Sequence, residues 1–347
     1  MAATTAILFL VLLASLSATS SSPYFSATTL FQNYQNMLTS FRIFIYTPTK
    51  PFNFPNPPAS LFYSSLLRSP FVTQNPAEAH LFLVPFSPDT STRSLARVIR
   101  ELRNNHPYWN RTLGADHFFV SPAGIDYSSD RNVLELKKNS VQISVFPVVS
   151  GYFVPHKDVT LPPFSTSPLA LLDGQEVNST KTTSFLGYLN WDGMTEPNLV
   201  NELKGDVDFL VQEKSEPLNY MRSVTESKFC LFLYHGEVTW IVEAMSLGCV
   251  PVVIVDRPIQ DLPLMDILRW SEIALLVAVP RGGSKRLKKV LDGVSEEKYA
   301  DMRELCVAAS KHLVWNEEPQ PLDAFHMVMY QLWLRRHAVR YSRREFV

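Results

Sequence analysis

The amino-acid sequence predicts an α/β protein of two domains facing each other across a cleft, and three observations carry that prediction. Short apolar runs of β type recur along the chain with segments of helical spacing between them, the alternation of a parallel sheet covered by helices. The clearest case is Ser227–Asp256, where Phe229–Tyr234 and Val250–Val255 flank a short helical segment. A turn holding Gly236 and Glu237 precedes that segment and Gly248 follows it, as in one βαβ unit. Finally, 347 residues exceed what a single ordinary core organises.

The elements follow in order. Residues 1–22 are expected to be a signal peptide or signal anchor. Ala6–Ala18 is an apolar run with no charge before Arg42, close in length to a signal-peptide core, and the small residues Ala14, Ser17, Ala18 and Ser20 would permit cleavage. Extension over Thr4–Thr19 would instead give a short anchor, and either form directs the chain into the secretory pathway. Two sequons, Asn110-Arg111-Thr112 and Asn178-Ser179-Thr180, agree with that compartment. Ser20–Gln35 reads as a polar lead-in. Phe41–Tyr46 is the first strand, Pro48–Pro58 a surface loop, Ser60–Leu67 a helix and Ala79–Phe86 a buried strand. Leu95–Asn104 has helical spacing, His117–Val120 is a strand, and Val141–Val149 with Pro155–Pro163 completes a first domain over residues 41–165.

Leu161–Thr183, rich in Pro, Ser and Thr, reads as a linker. A second domain over residues 180–320 opens with the strand Ser184–Tyr188 and the helix Asn198–Leu203, then reaches the βαβ unit. A loop at Arg257–Pro263, a short helix at Met265–Trp270 and a strand at Ala274–Val279 follow. Lys285–Asp292 and Glu296–His312 read as helices. Residues 321–347 form a terminal helix and tail, with Phe325, Val328, Met329 and Leu332 on one face of Asp323–His337.

A formal net charge of −1 gives no electrostatic footprint for nucleic acid, so no such partner is expected. Three cysteines are too few for a disulfide scaffold. Cys230 and Cys249, near the starts of the two strands of the βαβ unit, form either a bridge or two small buried hydrophobes. In open parallel sheets ligands sit at the carboxyl ends of the strands, where helix N-termini present N–H groups to anions. The turn Gly236, Glu237, Val238 and Thr239 is thereby the expected cradle for a phosphate-bearing ligand.

Eight runs in family order resemble the exostosin-type glycosyltransferases, particularly the plant branch that builds cell-wall polysaccharides. They include FRIFIYTPTKPFNF (41–54), SLFYSSLLRSPFVTQNPAEAHLFLVPF (60–86), HPYWNRTLGADHFFV (106–120), YMRSVTESKFCLFLY (220–234) and EAMSLGCVPVVIVD (243–256). The resemblance covers about residues 41 to 337. It implies a GT-B architecture of two Rossmann-like domains and inverting transfer from a nucleotide sugar, a UDP-sugar, to a hemicellulose or pectin acceptor. It further implies a single-pass type II protein of the Golgi membrane, held by the N-terminal segment and able to join complexes with other glycosyltransferases; cleavage of that segment would give a secreted protein instead.

By the same resemblance Glu243 is the ribose ligand; its alternative is a solvated helical carboxylate. Inverting transfer needs a general base, and Asp116 and His117 match a family motif, with His117 the stronger choice by its near-neutral side-chain type. A packed structural histidine is the alternative there, and His156 with Lys157 is a second cleft pair. Lys228 and Arg222 are candidate phosphate partners or surface charges. Asp206-Val207-Asp208 has the form of an acidic metal clamp, but the implied architecture leaves leaving-group stabilisation to dipoles and basic groups, so no essential metal and no cofactor beyond the donor are expected. Many relatives carry Ser-Pro-Arg in the turn before the helical Glu. This chain reads Glu237-Val-Thr-Trp-Ile-Val-Glu243, without an arginine, which removes about 1.5–3 kcal/mol of donor binding unless another basic group compensates. A catalytically weak family member acting as partner or scaffold is the second functional reading. A glycoside hydrolase is disfavoured, because no two carboxylates at strand ends single themselves out.

Overall fold

The computed structural model of the protein describes residues 22–148, 151–164, 184–213, 217–234, 236–278 and 283–336. The expected targeting run, most of the expected linker and the sequon at Asn178 lie outside the described residues. Two five-stranded parallel sheets organise the chain. The first holds β1 (Ile43–Ile45), β2 (Leu81–Leu83), β3 (His117–Val120), β4 (Val141–Val145) and β5 (Val159–Leu161) in sequence order. Its helices are α1 (Ala27–Ser40), α2 (Pro57–Arg68), α3 (Thr92–Asn105), α4 (Pro107–Thr112) and α5 (Arg131–Asn139). The second holds β6 (Phe185–Trp191), β7 (Phe209–Glu213), β8 (Ser227–Leu233), β9 (Val250–Val255) and β10 (Leu275–Ala278) in the order β10-β9-β8-β6-β7. With it come α6 (Pro197–Lys204), α7 (Pro217–Thr225), α8 (Ile241–Ser246), α9 (Trp270–Ile273), α10 (Gly283–Asp292), α11 (Glu296–Ser310) and α12 (Ala324–Arg335).

Local chemistry sets the helix starts. Asn56 caps α2 through the Ala59 N–H, with Pro57 and Pro58 at the first positions, where a missing N–H costs nothing. Asp130 accepts from the N–H groups of Asn132 and Val133 to start α5. Within strands, alternate residues go to opposite faces. Phe229, Leu231 and Leu233 of β8, with Val250, Val252 and Ile254 of β9, fill a core confined to the second half. Cys230, Phe232, Tyr234 and Val253 point the other way, into a core continuous with Ile43, Leu81 and Ile143 of the first sheet.

Several expectations are corrected. The lead-in contains α1, capped by Ser26 and burying Leu30, Phe31, Tyr34 and Met37 at helical spacing. The short helix expected at Met265–Trp270 is displaced to α9, because the chain turns at Leu264 (φ 58°) and the Trp270 indole N–H donates to the Pro263 carbonyl at 2.9 Å. Cys230 and Cys249 form a disulfide, so the bridge is the alternative realised; Cys306 is free and buried. No helix among the described residues is long and apolar enough to cross a membrane.

The halves exchange elements. Helix α12 packs on β5, and Arg335 donates to the carbonyls of Lys157 and Asp158 at 2.7 and 2.8 Å. In the other direction Tyr24 bridges to Leu268, and its hydroxyl bonds His312 Nε2 at 2.6 Å.

Candidate functional site at the strand carboxyl ends

The strand order of the second sheet reverses beside β6: β7 lies on one side of it, and the chain then crosses to β8 on the other. At such a reversal the following helices leave on opposite faces and open a crevice at the strand carboxyl ends. Here α6 packs into the core of the second half through Leu199 and Leu203, whereas α8 packs into the shared core through Ile241 and Met245. The expected cradle lies in that crevice. A Cβ on Gly236 would stand 3.1 Å from Asp192 Oδ2 and 3.2 Å from Thr195 Oγ1, so glycine lets the turn after β8 close on the turn after β6. Asp192 organises its own turn by accepting from the Met194 and Thr195 N–H groups, both at 2.8 Å.

The cradle differs from an open anion site in one respect. Glu237 is exposed, and its carboxylate accepts from the Thr239 N–H at 3.0 Å and from the Thr239 hydroxyl. Val238 is buried. One turn into α8, Glu243 is only 6% exposed, which removes the solvated-carboxylate alternative. It faces Tyr220, whose hydroxyl pKa is driven far up by burial and then by the Glu243 charge. Tyr188 and Tyr220 pack edge-on against Trp240 and tilted against each other around this corner, with ring centroids 5.5–6.2 Å apart.

Directly beside this crevice is a cavity of about 130 Å³ lined from both halves. Val148, Gly151 and Phe153 come from the β4–β5 connection; Tyr234, Arg257 and Asp261 come from the carboxyl ends of β8 and β9. Asp261 is buried and joins the walls, accepting from the Val148 N–H at 2.8 Å and from the Tyr234 hydroxyl at 2.6 and 2.7 Å.

A family model for the exostosin GT47 domain matches residues 37–293. The chain belongs to the exostosin GT47 family. It is 29% identical over 345 residues to a probable glycosyltransferase of Arabidopsis thaliana, covering 90% of this chain and 71% of that relative. A second probable glycosyltransferase of Arabidopsis thaliana is 31% identical over 76% of this chain and 60% of its own length. A probable β-1,4-xylosyltransferase of Arabidopsis thaliana is 28% identical over 76% and 72%, and a probable glucuronosyltransferase of Oryza sativa subsp. japonica 27% over 76% and 68%. The chain thus spans less than two thirds of the length of the second of these relatives.

The other site residues expected of this GT47 chain stand elsewhere. His117 opens β3, at the amino edge of its sheet, and is fully buried. Its Nδ1 meets Asp116 Oδ1 at 2.8 Å, its Nε2 meets the Tyr46 hydroxyl at 3.0 Å, and Phe82 and Tyr46 stack on its ring. Burial lowers its pKa despite the Asp116 charge. Burial would raise Asp116, but hydrogen bonds from His117, Thr112 and Arg111 outweigh it and hold the carboxyl low. A fully enclosed, doubly bonded imidazole has no access to an acceptor hydroxyl, so the packed structural role is the one the geometry supports.

Lys228 starts β8 at the amino edge, paired with Glu296 and lying over the Tyr299 ring at 5.4 Å. Arg222 of α7 forms an exposed pair with Glu226, just past that helix, at 2.7 Å. Neither reaches the crevice. Asp206 and Asp208 both hold Lys288 of α10, which ties α10 to the turn before β7. Lys157 is bound to Asp158 and the Ser140 carbonyl, whereas His156 is exposed on the connection that also carries Gly151 and Phe153. Asn110 is exposed on α4, its amide donating to the Arg103 carbonyl at 3.1 Å. Sequence reasoning missed Arg257 and Asp261. A signal existed: with Asp256 they are the charged residues that follow an apolar strand rather than precede it.

Proposed function

We propose that the chain transfers a sugar, with inversion, from a UDP-sugar to a hemicellulose or pectin chain, working as a GT-B enzyme whose donor site is the β6/β8 crevice and whose reaction space is the adjoining cavity. The observation that carries this reading is the crevice at the strand-order reversal, with buried Glu243 one turn into the helix that leaves it. The xylosyl- and glucuronosyltransferase names of GT47 relatives support the donor class. In this reading Glu243 takes the ribose hydroxyls. The acceptor oxygen forms the new bond to the sugar C1 while the bond to diphosphate breaks; the electron pair stays on the diphosphate, and the hydroxyl proton passes to a base. His156, exposed on the connection that lines the cavity, is the base this reading assigns. We further propose transfer without an essential metal, since Asp206 and Asp208 are committed to Lys288, and a Golgi setting through residues 1–22.

One observation favours the second reading, a partner or scaffold of another transferase: Glu237 places a carboxylate on the Thr239 N–H where a diphosphate was expected. A donor screen on the protein from residue 22 onward separates the two. The enzyme reading expects turnover of at least one UDP-sugar, insensitivity to EDTA and loss of activity in Glu243→Ala. Absence of both turnover and saturable UDP binding refutes it and leaves the scaffold.

A further inference from the structure

Helix α3 buries Leu95, Ala96, Ile99 and Leu102 in a core that lies on the side of the first sheet away from the core shared by the halves. Its other face is exposed and carries Arg93, Arg97 and Arg100, at the i, i+4, i+7 spacing that sets side chains in one row. Among the described residues, none of the three forms an ion pair or a hydrogen bond. Glu101 borders the row four residues after Arg97 and is not paired with it, and Glu135 of the neighbouring α5 is taken by Arg103 and Arg131. The row works against its own helix. Like charges one turn apart repel, and Arg93 stands in the first turn, where the helix dipole disfavours a cation and no acid offsets it. On α10, by contrast, Lys288 is held by both Asp206 and Asp208. The whole chain has a formal net charge of −1, so the positive row is a local feature.

Its position matters as well. Helix α3 starts on the carboxyl side of β2 and leads back toward the amino edge, where β3 begins. Arg93 therefore stands at the sheet edge from which the chain leaves β4 to bring Val148 to the cavity, and the row runs away from that edge. No exposed large apolar residue among those described belongs to α3, so the helix lacks the apolar face with which an interfacial helix enters a bilayer. Planar guanidinium forks match carboxylates. We propose that the Arg93–Arg97–Arg100 face of α3 is an auxiliary binding surface for an acidic, uronate-bearing polysaccharide, holding the acceptor chain beyond the reaction space. The choice of a plant-wall polysaccharide rests on the proposed function, and the row narrows it to the acidic, pectin-like class.

The test measures binding of the protein from residue 22 onward to immobilised polygalacturonate and to neutral xyloglucan, with calorimetric titration of UDP in parallel. The variants are Arg93→Gln/Arg97→Gln/Arg100→Gln, the same three positions changed to Lys, and a charge-matched control on the exposed side of α10, Lys285→Gln/Arg286→Gln/Lys289→Gln. Wild type is expected to hold polygalacturonate, to release it as salt shortens the screening length, and to ignore xyloglucan. The α3 Gln variant should bind polygalacturonate about ten- to a hundredfold more weakly, as for the loss of three exposed charge contacts. The Lys variant should recover part of that loss, and the α10 control should match wild type. UDP affinity is expected to be the same in all four proteins. Equal losses in the α3 and α10 variants, equal binding to xyloglucan, or stronger binding to phosphatidylserine vesicles than to polygalacturonate each overturns the proposal. A wild type that binds UDP but not polygalacturonate overturns the α3 surface alone; one that holds polygalacturonate through the row but binds no UDP refutes the donor reading and leaves the surface standing.

Discussion

The Tyr234 hydroxyl donates to the Asp261 carboxylate at 2.6 and 2.7 Å, and the same carboxylate accepts the Val148 N–H at 2.8 Å, so one buried side chain joins the two halves at their shared cavity. Asp261→Ala leaves two donors without an acceptor and is expected to cost roughly 2–5 kcal/mol of stability. Tyr234→Phe removes one partner and should cost about 1–2 kcal/mol. Urea denaturation measures both. Equal midpoints for Asp261→Ala and wild type would mean the junction carries no stability.

His117 provides a test that separates packing from catalysis. Its enclosed ring, bonded at both nitrogens, predicts that His117→Ala loses about 2–4 kcal/mol of stability through cavity formation and the unpaired Asp116 and Tyr46 groups. Any transfer activity should persist within about threefold per folded molecule. A folded His117 variant with activity abolished would restore the histidine to the chemistry.

Stability should fall in mild acid, because burial lowers the pKa of His117 and of His312. The neutral imidazoles belong to the folded state, so between their folded values and the ordinary 6.5 the unfolded chain binds more protons. The stabilisation is complete above pH 6.5 and is lost as the pH drops below it, by up to about 1.4 kcal/mol per pH unit for each histidine. Midpoints in urea at pH 7.5, 6.5 and 5.5 should be flat over the first interval and decline over the second; a decline that survives in His312→Gln isolates the His117 share.

The Cys230–Cys249 bridge closes a loop with a sequence separation of 19 around α8 and ties the middle of β8 to the residue that precedes β9. A loop of that length is worth about 3 kcal/mol. Dithiothreitol should lower the melting temperature of wild type and leave Cys230→Ala/Cys249→Ala unchanged, read by a thermal melt with and without reductant.

Much of the fold was legible because strands buried on both faces are written as unbroken apolar runs. His117–Val120 and Val250–Val255 are found at the residues the sequence indicates. Strand β7 was not legible: FLVQE alternates weakly at a sheet edge, where only Phe209 is buried. Helix α1 was legible in principle, from Ser26 followed by Leu30, Phe31, Tyr34 and Met37, but its polar remainder resembles a leader. The site was harder because family motifs record residue types, not sheet edges. His117 and Lys228 precede or open their strands and so lie at the amino edge, whereas Arg257 follows β9 and lies at the edge where parallel sheets bind ligands. The Asp261–Val148 contact joins residues 113 apart, which no local pattern announces.

The crossing of Tyr24 onto the second half and of α12 onto the first makes the two sheets interdependent. Neither half is a module that can be lifted out: a fragment cut after Phe164 would keep β5 but lose the helix that covers it, and a fragment starting at Ser184 would carry α12 without the strand it covers and leave His312 without its phenol. Any swing of one sheet against the other must also drag a strap rooted in its partner, so the separation of the halves across the cavity is held at two places outside the cavity itself.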